Sequence, residues 1–426
     1  MRRSILLAAA LGTTLALTAC SGGGSGDDET TAGSGESTGS TGALTVWVDE
    51  TRQAAVTDAA KAFEAENGTK VDVVLKNFDD IRADFLAQVP TGKGPDITVG
   101  AHDWLGEFTT NGVVAPLELG DKASEFEKVS IEAFTQDGQV YGLPYAIENI
   151  ALIRNTALAP AAPATWDEAI AAGQAAGTKF PILVQSDGAK GDPYTHYPFQ
   201  TSFGAPVFSQ NADGSYTSEL AMGGPEGQAF ATWLGAQGAA GNLSQDTTYD
   251  IAVEAFKNGE SPFIVGGPWM IESFEGLNLS IDPVPSAGGQ PAQPFVGVQG
   301  FYLSNQSKNA LVANDFLVNF LSTEEAQTAL YKAGNRSPAL TVSADKAAAE
   351  DPIIAGFRAV GADAVPMPSI PEMASVWSFW GVTEAAIVNG ADPIPTWDKM
   401  IADIQAAARS AWVEVRRVSV TSLTLA

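Results

Sequence analysis

The stretch Val99-Gly-Ala-His-Asp-Trp-Leu-Gly106 follows a short apolar run, Asp96-Ile-Thr-Val-Gly100, and together they decide how the chain folds. The apolar run predicts a buried strand, and the residues after it have the spacing of a helix. His102, Asp103 and Trp104 would then lie at the carboxyl end of a parallel strand, where open α/β sheets bind ligands. Asp103 could bind a hydroxyl there and Trp104 could cover an apolar ring face. Alternatively, Asp103 only caps the helix and Trp104 belongs to the core.

The first elements of the chain predict an α/β fold with a parallel sheet. Leu44-Thr-Val-Trp-Val48 and Val71-Asp-Val-Val-Leu75 are predicted strands with a helix between them. A strand–helix–strand unit of this kind makes the two strands parallel. Asp49, Glu50 and Arg52 follow the first strand and are candidate ligand contacts, or else part of a solvated loop with the acids that helix starts favour.

Charge and composition exclude several classes of function. The chain has 426 residues, enough for two or three domains, and a formal charge of -27, which argues against nucleic acid as a partner. Cys20 is the single cysteine, so internal disulfides and thiolate metal sites are excluded. His102 and His196 are the two histidines, too few to favour a histidine metal site or a Ser-His-Asp triad. We expect no metal and no cofactor.

The amino terminus predicts export and a lipid anchor. Residues 1–20 combine a basic start, a short apolar core and small residues before a break, as a signal peptide does. Leu17-Thr-Ala-Cys20 resembles a bacterial lipobox, which implies cleavage before Cys20 and lipidation of its thiol. The alternative is a plain signal peptide or a membrane anchor, although the apolar core is short for a span. Residues 21–42 are rich in Gly, Ser and Thr and predict a flexible linker.

Two extended stretches predict crossings between two domains. The first covers residues 139–155, where Pro144 argues against a helix, and the second covers residues 295–303. Glu148 lies in the first stretch among apolar residues, and a carboxylate there needs a partner or a ligand. We expect Glu148 to face a cleft.

Aromatic and acidic residues recur at the ends of predicted elements, and this pairing suits a carbohydrate. The aromatics are Trp104, Tyr194, Tyr197, Tyr249, Trp269 and Trp377. The acids are Asp49, Glu50, Asp103, Glu148 and Asp192. A ring can cover the C–H face of a sugar, and charged acceptors bind its hydroxyls with about 1.5–3 kcal/mol per hydrogen bond. Taken alone, each aromatic is better explained as core, so the hypothesis rests on the repeated pattern.

An extracellular glycosidase is the rival interpretation. It needs two carboxylates across a sugar, and Glu148 with Asp103 could form such a pair. Other chemistry has little support, because the sequence has no G-x-S-x-G motif and no phosphate-binding glycine loop between a strand and a helix.

Seven motifs, in order along residues 44–408, resemble the bacterial maltose/maltodextrin-binding proteins, the extracellular receptors of ATP-driven sugar importers. They are Ala101-His-Asp103, Ala146-Ile-Glu-Asn149, Asp192-Pro-Tyr194, Asp246-Thr-Thr-Tyr-Asp-Ile-Ala-Val-Glu-Ala-Phe-Lys-Asn-Gly-Glu260, Gly267-Pro-Trp269, Pro294-Phe-Val-Gly297, and Ile370-Pro-Glu-Met373 with Trp377.

The resemblance implies a two-lobed α/β fold of the periplasmic-binding-protein type, class II, with a ligand cleft between lobes joined by crossing strands. It implies ligand contact for Asp49, Glu50, Arg52, Asp103, Glu148, Asp192, Tyr194, Tyr197, Tyr249, Trp269 and Trp377. We add Trp104 as a further indole suited to a glucan.

The chain departs from the pattern of this family at several positions. Trp104 replaces an arginine, Gly100 an aromatic, and Gly381 a basic residue one turn past Trp377. Asp192 replaces a glutamate, and the loop at residues 49–52 is one residue shorter. These departures bear on which sugar is bound.

The sequence hypothesis is a monomeric, non-enzymatic receptor for malto-oligosaccharides outside the cytoplasm, anchored to the membrane by lipid and serving an ABC permease. A receptor for another oligosaccharide is the alternative of the same fold. The predicted segments are a signal peptide at 1–20, a linker at 21–42, a first lobe at 43–150 and a second lobe at 151–295. Residues 296–410 return to the first lobe and form a helical carboxyl-terminal part, and 411–426 are a tail.

Overall fold

The computed structural model describes residues 42–211 and 216–423, with side chains described up to residue 409. The predicted signal peptide, the lipidation site Cys20 and the linker apart from residue 42 lie outside the described residues. The side chains of the tail at 411–426 also lie outside them. These predictions therefore stay predictions.

The strands of the described residues are numbered in chain order. They are β1 (Leu44–Val48), β2 (Val71–Leu75), β3 (Ile97–Ala101), β4 (Val114–Ala115), β5 (Thr135–Gln136), β6 (Gln139–Val140), β7 (Gly142–Asn149), β8 (Ala151–Asn155), β9 (Leu183–Val184), β10 (Phe208–Gln210), β11 (Tyr216–Leu220), β12 (Phe263–Gly266), β13 (Leu279–Asp282), β14 (Phe295–Ser304), β15 (Ser337–Pro338) and β16 (Val365–Pro366).

The helices are numbered in the same way. They are α1 (Glu50–Asn67), α2 (Phe78–Gln88), α3 (Leu105–Thr110), α4 (Lys128–Ala133), α5 (Trp166–Ala176), α6 (Pro193–Ser202), α7 (Gly224–Ala239), α8 (Tyr249–Lys257), α9 (Ala310–Asp315), α10 (Glu324–Gly334), α11 (Thr341–Glu350), α12 (Pro352–Gly361), α13 (Met373–Val388) and α14 (Pro393–Leu423).

A large sheet contains β3, the strand that leads into His102, Asp103 and Trp104. Its strand order is β15-β7-β14-β3-β1-β2, and β4 and β16 also pair with β14. β1 is parallel to both β2 and β3, as predicted, whereas β14 runs antiparallel between β3 and β7. All five residues of β3 are buried, which confirms the predicted buried strand.

A smaller sheet follows directly along the chain, with the order β13-β8-β12-β9. Ile150 alone separates β7 of the large sheet from β8 of the small one, so the extended stretch at 139–155 passes from one sheet to the other. The α/β prediction is confirmed. The lobe boundaries at 150 and 295 stay a prediction, because the described residues group as one compact unit.

Separate hydrophobic clusters lie beside the two sheets. Phe63 of α1, Phe85 of α2 and Phe108 of α3 are buried in the cluster of the large sheet. Trp380 of α13 and Trp397 of α14 are buried in a second cluster, which also holds residues of the small sheet. The carboxyl-terminal helices therefore pack with the small-sheet core. A hydrogen bond from Trp377 to Asp103 also brings α13 next to the turn that follows β3.

Local end signals in the sequence are mostly correct. Thr165-Trp-Asp-Glu168 has the capping-box pattern and forms that box at the start of α5, Asp192 caps α6, and Gly68 ends α1 in the left-handed region at φ 70°. Ser322-Thr-Glu-Glu325 also has the sequence pattern of a capping box, which predicts Ser322 as the cap. This prediction is wrong, because the Thr323 hydroxyl caps α10 by accepting from the Ala326 N–H, so the helix starts one residue later. The apolar run Phe180-Pro-Ile-Leu-Val184 predicts a strand, but only its last two residues form β9.

Candidate ligand-binding cleft

The 3-10 turn His102–Trp104 after β3 is fixed by its histidine. The Val298 N–H donates to His102 Nδ1 at 3.0 Å, and His102 Nε2 lies 2.9 Å from the carbonyl oxygen of Met367. Because Nδ1 accepts, Nε2 carries the proton and the ring is neutral. Burial lowers the pKa of His102, in agreement with this neutral form. His102 thus faces the protein, while Asp103 and Trp104 border a cavity.

An ion pair forms the polar floor of this cavity. Glu148 stands near the end of β7, where Gln299 Nε2 donates to its Oε1 at 2.8 Å and Arg336 Nε donates to its Oε2. Arg336 follows Asn335, whose left-handed conformation (φ 54°) ends α10 and turns the chain toward the floor. Burial alone would lower the pKa of Arg336, but the Glu148 charge raises it, so the guanidinium stays charged. Glu148 therefore has the partner that its burial demands.

Aromatic rings form the walls. On one side, Arg336 Cζ lies 5.6 Å from the Trp269 ring centroid, and Trp269 lies 6.2 Å from Tyr194. On another side, Trp104 lies 5.3 Å from Phe78 of α2. Apolar ring faces and a charged floor are the usual make-up of a small-molecule site.

Asp103 links the turn after β3 to α13. Trp377 Nε1 donates to Asp103 Oδ2 at 3.1 Å. Burial raises the pKa of Asp103, while the nearby His102 and Arg82 act to lower it. Asp103 does not cap the following helix, because α3 has no side-chain cap at its start.

Three buried polar atoms on the cavity lining have no hydrogen-bond partner among the described residues. They are Asp103 Oδ1, the Tyr194 hydroxyl and Gln299 Oε1. The cavity has a volume of about 580 Å³, within the range of about 300–1,000 Å³ for small-molecule sites. A buried polar group without a partner costs about 1–3 kcal/mol, so these atoms indicate a polar ligand.

Gly297 of β14 leaves room for this arrangement. A Cβ atom there would lie 3.1 Å from Glu148 Cγ and 3.4 Å from the Tyr194 hydroxyl oxygen. A side chain at this position would therefore push the floor and the wall apart.

A protein-family model described as bacterial extracellular solute-binding protein matches residues 58–356, more than half of the chain. The chain belongs to this family. Part of the sequence prediction is thereby confirmed, namely the membership in an extracellular solute-binding family that the seven motifs indicated.

The names of several relatives of this solute-binding protein specify the sugar that each relative binds. A solved Thermus thermophilus maltotriose-binding protein, bound with maltotriose, is 31% identical with a TM-score of 0.77, and the match covers 86% of this chain and 100% of that chain. A galactooligosaccharide-binding protein of Bacillus subtilis is 29% identical over 90% of this chain and 92% of its own length. A maltodextrin-binding protein of the same organism is 27% identical over 79% and 82%.

Half of the predicted site residues of the solute-binding protein come together at the cavity. These residues are Asp103, Trp104, Glu148, Tyr194, Trp269 and Trp377. The turn after β3 supplies two of them. One each comes from β7, α6, the turn after β12 and α13.

The other six predicted residues do not line this cavity. Asp49 caps α1 and pairs with the buried Arg52, while Glu50 is exposed in the first turn of that helix. Asp192 caps α6 by accepting from the Thr195 N–H at 3.1 Å.

The two remaining tyrosines lie in different environments. Tyr197 is only 1% exposed and stacks on Phe295 at a centroid distance of 3.6 Å inside the second core cluster. Tyr249, at the start of α8, borders a separate surface depression. Ligand contact for all six residues stays a prediction.

Sequence reasoning missed several lining residues, of which Arg336 matters most. The requirement that Glu148 have a partner was the available signal, but nothing local identifies a cation 188 residues away. Phe78, Asp79 and Arg82 of α2 and Gln299 of β14 were also missed.

Across the described residues of the solute-binding protein, no helix is both long and apolar enough to cross a membrane.

Replacing Arg336 with Met should destabilise the fold by about 3–5 kcal/mol, because it leaves the buried Glu148 charge uncompensated. Urea unfolding measures this loss. The double variant Glu148→Gln/Arg336→Met should recover much of it, since the charge is then gone. Lys346→Met is the matched control: it removes a cation from an exposed pair with Glu324 and should change stability by less than about 1 kcal/mol. Equal effects of the two single Met variants would contradict the structural role of Arg336.

Proposed function

We propose that this solute-binding protein is a receptor that captures oligosaccharides outside the cytoplasm, with malto-oligosaccharides as its ligands, for an ATP-driven importer. The observation that carries the proposal is the set of three unpartnered polar atoms among the rings of the cavity. Sugar hydroxyls both donate and accept, so one ligand can satisfy a carboxylate, a phenol and an amide oxygen together.

The chemistry of the walls supports the same ligand class. Tyr194 stays protonated, since burial raises its pKa well above the usual value and the charges of Glu148 and Asp103 add to the effect. Its hydroxyl can therefore both donate and accept. The Trp269 and Trp377 indoles offer apolar faces for the C–H faces of a pyranose.

The names of the relatives support an oligosaccharide more firmly than any one linkage. They specify maltotriose, maltodextrin and galactooligosaccharide. We propose α-glucans because two of these three are malto-oligosaccharides, and another oligosaccharide is the alternative.

The remaining proposals concern the setting of the receptor. We propose a monomer with lipid on Cys20 and a tether over residues 21–42, which delivers its ligand to membrane permease subunits. Two lobes, with boundaries at 150 and 295, would close on the sugar because the ligand contacts both and so favours the closed state.

The proposed receptor breaks no bond. A glycosidase would use one carboxyl of the cavity as a proton donor. Both Glu148 oxygens accept hydrogen bonds, from Gln299 and Arg336, and one Asp103 oxygen accepts from Trp377. This arrangement supports acceptors that orient a ligand.

The test of the proposal is calorimetric titration with two sugar series, maltose to maltotetraose and β-galactobiose to galactotetraose, with cellobiose as a further arm. We expect the malto series to bind without product formation. A preference for the galacto series would keep the receptor and overturn the α-glucan assignment. Hydrolysis of the sugars during incubation would contradict the non-enzymatic proposal, and no binding to any arm would contradict the receptor.

Replacing Trp377 with Leu should weaken sugar binding at least about tenfold, the loss typical of an anchoring aromatic side chain. Trp233→Leu is the matched control, because Trp233 packs against the same core cluster but does not border the cavity. Calorimetry measures both, and melting curves show whether each variant is folded. Similar losses from the two variants would speak against a ligand contact by Trp377.

Burial raises the pKa of the Asp103 carboxyl above its ordinary value of 3.8. Sugar affinity should therefore fall as the pH is lowered toward 3.8, because Asp103 then becomes protonated. A ligand hydroxyl that donates to Oδ1 favours the ionised carboxylate, so protonation in the free protein competes with binding. Binding near that pKa should then release a proton, which titrations in buffers of different ionisation enthalpy measure. Asp103→Asn should remove the proton release, and a proton release that persists in this variant would exclude Asp103 as its source.

A further inference from the structure

Two helices that carry walls of the cavity meet at a buried ion pair. Helix α6 places Tyr194 on the cavity, and α13 places Trp377 there. Behind these rings, His196 Nδ1 of α6 lies 3.0 Å from Glu384 Oε2 of α13, and the two side chains are 3% and 0% exposed. Neither side chain of this pair lines the cavity, so the pair can act on a ligand only through the two helices.

The contact between α6 and α13 leaves little room for movement. A Cβ atom at Gly191, just before α6, would lie 2.1 Å from the carbonyl oxygen of Gly381 in α13, so the two backbones touch directly. Trp380 Nε1 donates to Gln200 Oε1 at 3.1 Å and joins the helices a second time. Because the Trp380 ring also stacks on Trp377, at a centroid distance of 5.5 Å, a shift of α6 against α13 moves the two walls relative to each other.

Burial and pairing decide the charge of His196 and Glu384. Burial alone would lower the pKa of His196, but the hydrogen bond and the charge of Glu384 raise it above the ordinary value of 6.5. Burial also raises the pKa of Glu384, whose Oε1 has no hydrogen-bond partner among the described residues. When the pH rises through the raised pKa of His196, the pair loses a proton and leaves a negative charge in the core, which burial disfavours.

A second carboxylate faces this pair. Asp192 caps α6 beside Tyr194, and its negative charge raises the pKa of both His196 and Glu384. Once the pair has lost its proton, Glu384 and Asp192 repel each other across the contact between α13 and the start of α6. The other charged side chains on the described elements packed here lie at the surface, namely Asp187, Lys190, Glu226, Asp398, Lys399 and Asp403.

We propose that His196 and Glu384 are positioning residues that set the spacing between the Tyr194 and Trp377 walls, so that loss of their shared proton weakens sugar binding. The walls move apart when Glu384 and Asp192 repel each other, because the helices that carry the walls are joined at this contact. This inference rests on the proposed function.

The sign of the proton exchange separates this pair from Asp103. A sugar that favours the protonated pair takes up a proton when it binds above pH 6.5, the ordinary value that the pKa of His196 exceeds. Binding near the pKa of Asp103, at acid pH, instead releases a proton. The two effects therefore differ in both pH range and direction.

The test is an NMR titration of the imidazole C–H signals of the untagged protein, free and saturated with maltotriose, or with a galactooligosaccharide if that series is preferred. The sequence has two histidines, and the neutral His102 is the internal control. We expect the sugar to raise the pKa of His196 by at least about half a unit, which corresponds to about threefold in affinity. Calorimetry should show the same loss of affinity between about pH 6 and about pH 9, and His102 should not titrate in this range.

Two variants show whether the charge of the pair is the cause. Glu384→Gln removes the charge but keeps a group that can donate to His196 Nδ1, so the affinity of this variant should not fall over the same pH range. Gln200→Met is the matched control, because it removes an uncharged bond between the same helices and should keep the fall. Melting curves show whether each variant is folded, and the NMR titration depends on neither.

An unchanged pKa of His196 on sugar binding would overturn the inference, and so would a fall in affinity that persists in Glu384→Gln. In both cases the sugar still binds, so the proposed function survives. If the unaltered protein binds no sugar at any pH, the proposed function fails and the inference fails with it.

Discussion

A carboxylate buried near the end of β7 is the constraint on which the cavity depends. Glu148 is 7% exposed, and an isolated charge at that depth would cost several kcal/mol. Arg336 compensates it from a turn 188 residues later in the chain. Because the same guanidinium lies over Trp269, one ion pair fixes both the floor and an aromatic wall. The charge that makes the site useful to a polar ligand is thus also what holds the site together.

Three further long-range hydrogen bonds join the turn after β3 to distant segments. His102 binds the backbone at Val298 and Met367, and Asp103 accepts from Trp377. The neutral imidazole joins the two backbone segments by hydrogen bonds and adds no charge to the cavity. A site assembled from such bonds is largely formed before the ligand arrives, and this lowers the ordering cost of binding.

The sequence identifies local features of this fold better than its long-range contacts. Strand β3, the parallel pair β1 and β2, and the caps at Thr165 and Asp192 follow from short patterns whose physics is local. The face of α6 that borders the cavity does not follow, because nine of its ten residues are buried. Tyr197 therefore looks like Tyr194 in sequence but packs inside the core. The partner of Glu148 is equally invisible, since only tertiary folding brings it near.

The departures from the maltose-binding pattern are physically coupled. A Cβ at Gly100 would lie 2.6 Å from Trp104 Cε3, so the indole at 104 occupies the space that an aromatic at 100 would need. Trp104 stands where the family pattern has an arginine, and in this chain Arg82 of α2 provides a positive charge that acts on Asp103. A Cβ at Gly381 would lie 2.3 Å from the carbonyl oxygen of Lys190, so the contact with that turn leaves no room for a basic side chain. Because these departures depend on one another, they act together on the sugar preference. The cavity has the Trp104 indole in the turn after β3 and the Arg82 cation on α2.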